Sequence, residues 1–238
     1  MRSKALALLL LFSHGILAES PHVEWKPGAI ETSTYRHTES GVPGTTTYTA
    51  SGILYDGRRA FEIVVRTQRK LVLGGQEGKL ETQGTTIVDA ATLDLLDGRL
   101  TTLLNGVEAS SLRAERKGGK IRVVQKLRGS PTDTRTVDAP EPVVEDSALF
   151  LYMSSLPWRP GQEFRWLKFS PQGRLLHAAA RVESQERDFL RVGVRTEIGS
   201  TTYVLRRGKP ALVLKVEAGG GERTELEKSS LLPRPPGR

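Results

Sequence analysis

The chain is expected to fold mainly as antiparallel β-structure, a barrel or half-barrel carrying one helix of note. Three observations predict this. Short runs alternate apolar and polar residues, glycine-containing turn dipeptides separate them, and a single segment shows helical spacing.

The first eighteen residues stand apart. Arg2 and Lys4 precede an unbroken apolar run over 5–12, and Ala18 offers a small residue for cleavage ahead of Glu19. That is the pattern of a cleavable signal peptide, and the run is shorter than the roughly 20 residues a spanning helix needs. Ile16 at the −3 position leaves the cut defined to within a few residues of Glu19. The expected destination is the periplasm of a bacterial cell envelope, with secretion as the alternative, and no transmembrane segment is expected in the mature chain.

The absence of Cys excludes disulfides, a thiol nucleophile and a cysteine metal site. The 220 residues after position 18 are enough to bury a core without staples. The formal net charge is +8, and removing Arg2 and Lys4 with the leader lowers it to +6. This balance favours anionic company or simply a soluble basic surface. Nucleic acid is not an expected partner, because aromatics are only 6% of the chain and none interleaves with a dense basic run.

Residues 19–30, with Pro21, Pro27 and Gly28, read as an irregular lead-in to one β-domain over 31–228. Phe61, Ile63 and Val65 alternate with more polar neighbours, as do Ile121, Val123 and Leu127. Leu190, Val192 and Val194 form a third such run and Leu212, Leu214 and Val216 a fourth. Asp56-Gly57, Asp97-Gly98 and Asn105-Gly106 tolerate the positive φ that tight hairpins require. Lys117-Gly118-Gly119-Lys120, Pro171-Gln172-Gly173, Arg207-Gly208 and the three glycines at 219–221 mark further turns. Strands joined by such short turns must pair antiparallel, since a parallel crossover needs a dozen or more residues.

Residues 129–144, with Pro131, Pro140 and Pro142, form an extended connector into the helical segment. Glu145-Asp146-Ser147 is an acidic, capping-type entry, and Leu149, Tyr152, Met153 and Leu156 then fall on one helical face, so the spacing predicts a helix over about 146–156. Phe150 and Leu151 lie off that stripe, and such a helix needs cover on more than one side. It should pack on the concave face of the sheet or close its open end. Residues 229–238, with three prolines and two arginines, read as a flexible basic tail.

An aromatic cluster follows the helix. Trp158, Phe164 and Trp166, with Tyr152, would line a ligand cavity in a barrel mouth or make an ordinary core end. Phe164 and Trp166 share one strand face while Leu167 and Phe169 lie on the other. Arg159, Arg165, Lys168 and Arg174 are the candidate rim cations for an anionic head group.

The residues Asp146-Ser147-Ala148-Leu149-Phe150-Leu151-Tyr152, followed by Leu156-Pro157-Trp158-Arg159-Pro160-Gly161, resemble a helix-to-turn stretch of bacterial exported proteins of the domain-of-unknown-function 3108 family. Residues 182–194 resemble that family's strand pair. Residues 201–205 with Pro210-Ala211-Leu212-Val213 resemble its closing hairpin. At Thr92-Leu93-Asp94, Leu95 stands where proline is usual. The resemblance covers roughly 45–228 and implies an envelope protein with an antiparallel barrel or half-barrel; it implies no reaction and no catalytic residue.

Other chemistries have little support. His22, His37 and His177 lack metal-ligand spacing, so no metal site and no cofactor are expected. Glu183, Glu186 and Asp188 read as a charged turn, and neither a Gly-x-Ser-x-Gly elbow nor a phosphate-binding loop is present. The leading expectation is a non-enzymatic periplasmic protein that binds a hydrophobic or lipid-like envelope component. The alternative is a structural or interaction module presenting Arg122, Lys126, Arg128, Arg191 and Arg195 to an anionic partner, and a hydrolase of unknown substrate comes third. A hollow interior lined by Ala178, Ala180 and Gly193, as against a filled one, separates the first two.

Overall fold

A computed structural model describes residues 21–39, 42–73, 76–208 and 211–231. The leader, Gly74 and Gly75, Pro210 and residues 232–238 of the tail lie outside them. Eight strands run outward from the middle of one sheet: β1 (Gly28–Glu39), β2 (Val42–Tyr55), β3 (Arg58–Leu73), β4 (Gln76–Asp89), β5 (Leu95–Leu104), β6 (Val107–Lys117), β7 (Lys120–Leu127) and β8 (Asp133–Asp138). After β9 (Val143–Glu145), a 3-10 turn at Asp146–Ala148 leads into helix α1 (Leu149–Ser155). The chain then returns through β10 (Glu163–Phe169), β11 (Leu175–Gln185), β12 (Phe189–Thr196), β13 (Gly199–Arg206), β14 (Leu212–Ala218) and β15 (Arg223–Ser229).

All fifteen strands belong to one sheet, in the order β8 through β1, then β15 back to β9. The first and last strands therefore meet in its centre, with Ser33 opposite Ser229. The expected alternating runs fall on β3, β7, β12 and β14, and every ladder is antiparallel except β9–β10. The parallel pair is possible because α1 lies between its two strands and supplies the crossover length.

Two turn assignments divide instructively. Asp56-Gly57 and Asn105-Gly106 both adopt positive φ and close tight hairpins. Asp97-Gly98 does not form a turn: it lies inside β5, Gly98 opposite Thr86, and Asp97 is buried with Arg99 and Arg113 at 3.6 and 3.5 Å. The chain reverses earlier, where Asp89 Oδ1 accepts from the backbone of Ala91 (2.9 Å) and Thr92 (3.0 Å). That Asx-type closure and the left-handed Leu93 (φ 57°) set the register before Asp97 is reached. The connector over 129–144 is likewise not wholly irregular, since it contributes β8 and β9.

The sheet is not closed by hydrogen bonds; it rolls past itself. Val144, Phe164 and Trp166 pack into a large core that also holds Tyr35, Tyr48, Phe61, Ile63, Val192, Leu205 and the helix. Val143, Leu167 and Phe169, on the opposite faces of the same two strands, pack against Leu95, Leu112, Ile121 and Val123 of β5–β7. The β9–β10 edge is thus sandwiched, and the bulk expected on both faces of β10 has this purpose. Polar ties fix the overlap. Arg116 pairs with Asp94 (3.0 Å) and donates to Ala139 O and Glu141 O, while Arg135 of β8 donates to Gln172 O and Gly173 O in the β10–β11 turn. Covering an edge in this way removes a row of unpaired backbone groups from solvent.

Helix α1 lies inside the roll, with Leu149, Leu151, Tyr152, Met153, Ser154 and Ser155 all buried, and Phe150 stacks on Tyr35 and Tyr48 at 4.8 and 5.7 Å. A helix so short is stable only through such packing. Its last four carbonyls all find donors from outside the helical ladder. Tyr152 O takes the Ser155 hydroxyl, Met153 O the Trp158 indole, Ser154 O the Ala211 amide and Ser155 O the His22 amide. At the other end Glu145 accepts from Ser147 N (2.8 Å) and Thr86 Oγ1 (2.9 Å), and also from the Ser147 hydroxyl.

Candidate functional site

α1 fills the middle of the roll, and open space lies towards each of its ends. Beside the start of the helix, a recess of about 290 Å³ is bounded by β3–β6 and the Glu145-Asp146-Ser147 turn. At the finish of the helix a mouth of about 990 Å³ opens to solvent. That volume is in the range of small-molecule sites.

The mouth is built from three directions. The lead-in contributes His22, Val23, Glu24 and Lys26, held over the helix by the His22-to-Ser155 bond. The helix and the chain after it contribute Leu151, Ser154, Leu156, Trp158 and Arg159. The sheet contributes Ile30, Glu31 and Leu190, with Arg207, Ala211 and Leu231 beyond the ends of β13 and β15. Trp158 is fixed by its indole bond to Met153 O (2.8 Å) and by an edge contact with Phe164 at 5.0 Å.

The charges of the mouth divide by depth. His22, Glu24, Lys26, Arg159 and Arg207 are exposed, whereas Glu31 is 5% exposed. Burial pushes its carboxyl above the ordinary 4.5, and the Ser33 hydroxyl, donating to Oε1 at 2.6 Å, offsets part of that. Among the described residues Ser33 is its one hydrogen-bond partner. Tyr35 and Tyr48 lie close enough for Glu31 to help raise their phenol pKa values, although burial is the larger cause.

Of the eight residues singled out from the sequence, the structure brings only Trp158 and Arg159 to this mouth. Tyr152 and Trp166 stack at 5.1 Å within the large core, and Phe164 is buried beside them. Burial raises the Tyr152 phenol to about 12. Arg165 projects outward and pairs with Glu163 at 2.6 Å; Lys168 pairs with Asp146 at 2.8 Å. Arg174 is exposed beyond β10, at the opposite end from the mouth. Ala178 and Ala180 do face inward, opposite Trp166 and Phe164, but Gly193 faces out beneath the Glu183 side chain. The interior is therefore filled through its middle and open at one end.

Other candidate chemistry remains dispersed. No group of three metal-ligating side chains occurs among the described residues. Glu183, Glu186 and Asp188 are exposed around the β11–β12 turn. Arg122, Lys126, Arg128, Arg191 and Arg195 are exposed, Arg191 pairing with Glu217 at 2.9 Å. No helix among the described residues is long and apolar enough to cross a membrane.

No family model matches the chain, and no curated protein does. Among solved structures it is similar to a β-barrel-like protein of domain of unknown function 1849 from Brucella abortus. The TM-score is 0.61 at 12% identity, over 88% of this chain and 100% of that one. The fold is β-barrel-like. At such identity the similarity speaks for the architecture alone, and the neighbour carries a different domain designation from the family that the helix-to-turn stretch resembles.

Proposed function

We propose that this is an exported, periplasmic binding protein without catalytic activity, which takes a hydrophobic, lipid-like envelope component into the mouth beside the end of α1. The observation that carries the reading is the mouth itself. It is an open space of about 990 Å³ whose deep wall includes Leu151, Leu156 and Leu190, all buried in the folded chain yet facing a cavity. Burying apolar ligand surface there yields about 25 cal/mol per Å², and the bonds that fix the helix end pre-form the site. The signal-like leader supports the compartment, and the resemblance of 146–161 to the 3108 family supports an envelope role.

The mouth carries charges of both signs in place of a purely basic rim. Arg165 and Lys168 already have carboxylate partners, Arg174 is at the far end, and Glu24 and Glu31 stand with the remaining cations. The test is titration of the purified protein with the lipophilic dye N-phenyl-1-naphthylamine, alongside native mass spectrometry for co-purifying lipid. Saturable dye binding that Ala211→Trp abolishes by filling the mouth is the expected result. A folded protein that carries no lipid and binds no dye overturns the reading.

A further inference from the structure

Among the described residues Glu31 is the one buried charged side chain of the mouth. It neither caps the helix nor pairs with a cation among the described residues. Its single partner is the Ser33 hydroxyl, itself 2.9 Å from that of Ser229. A carboxyl left with unused bonding capacity at the wall of a mostly apolar pocket costs free energy until a ligand completes its hydrogen bonds. Ser154 is also buried and lines the mouth.

We infer that Glu31 determines which ligand the mouth accepts: a lipophile whose inserted end carries a hydroxyl group. The inference rests on the mouth being the binding site. A hydroxyl can both donate to and accept from a carboxyl group, which a plain alkyl end cannot do. An inserted carboxylate or phosphate would meet the acid without a counter-charge. The exposed Lys26, Arg159 and Arg207 would favour the opposite arrangement, an anionic head outside and a tail inside, so the two orientations predict different ligand rankings. Burial shifts Glu31 toward its protonated form, which strengthens the case for a neutral polar partner.

The experiment is displacement of bound N-phenyl-1-naphthylamine by decan-1-ol and by decanoate, using the wild-type chain, Glu31→Gln and Glu31→Leu. The amide of Glu31→Gln can still donate and accept, so it should keep the wild-type ranking, with decanol roughly tenfold tighter than decanoate. Glu31→Leu should abolish that preference while still binding the dye. Decanoate equal to or tighter than decanol, or a ranking unchanged in Glu31→Leu, overturns the inference and leaves the mouth as a tail-first site. Absence of dye binding to the wild-type chain removes the mouth as a site and the inference with it.

Discussion

Two carboxyls stand near opposite ends of the same helix, Glu31 buried and Glu145 partly buried, and they differ in what surrounds them. Glu145, before the helix, accepts from the Ser147 amide, the Ser147 hydroxyl and the Thr86 hydroxyl. Glu31, beside the end of the helix, has only Ser33 among the described residues. Burial raises the pKa of both. At Glu145 the surroundings answer the desolvation with hydrogen bonds and the space is small. At Glu31 they do not, and the space is large and open. The contrast separates a polar group used to set structure from one left available to something outside the chain.

The largest expected effect tests whether the middle of the roll is structural. Trp166→Ala should lower stability by about 3–5 kcal/mol, measured by denaturant unfolding, while the fraction that folds binds dye as the wild type does. A specific loss of dye binding in the folded protein would return Trp166 to the site. Glu145→Ala comes next. It removes a helix-entry cap and takes the acceptor from the Ser147 amide and the Thr86 hydroxyl, the latter still bonded to the Ser147 hydroxyl, so it should cost about 1–2 kcal/mol with dye binding intact. Equal stability would mean that the Glu145 network is not what holds the helix start.

Glu31→Gln should act in the opposite direction. A carboxyl whose folded pKa is raised binds more protons folded than unfolded, so its penalty is absent below the ordinary 4.5 and grows as pH rises through the raised value. The variant should therefore be more stable than wild type at neutral pH and equal to it below the ordinary carboxylate range. Thermal unfolding across that range measures the difference, and a gain that is constant with pH would contradict the assignment. A modest loss of stability belongs to Trp158→Ala. This side chain is only partly buried, so the loss should be about 1–2 kcal/mol, accompanied by weaker dye binding.

The architecture was legible where apolar residues carry the period. Phe61, Ile63 and Val65 announce β3, and Leu149, Tyr152, Met153 and Leu156 announce α1. β1 was not legible, and the physical reason is visible in its residues. Glu31, Ser33, Tyr35 and His37 share the inward face, a period of two written mostly in polar side chains. A hydropathy alternation cannot register such a strand, and Glu31 was missed with it. Its signal is parity with Tyr35, opposite the Thr-Tyr-Thr-Ala alternation of β2. The aromatic cluster is legible, but the choice between a cavity and a core end is not, because sequence proximity to a turn does not reveal that β10 is covered on both faces.

The pairing of β1 with β15 also governs when the molecule can finish folding. Ser33 and Ser229 are hydrogen-bonding neighbours separated by nearly the whole chain, so their ladder closes one of the longest loops the sequence allows. The hairpins of β1–β8 are local and can form early, but the centre of the sheet must wait for the last strand. Pairings of this range make folding slow. His22 and Leu231, from the two extremes of the described chain, both line the mouth. The binding surface is thus complete only when the final ladder has zipped, and a chain truncated within β15 should fold its hairpins yet never present a pocket.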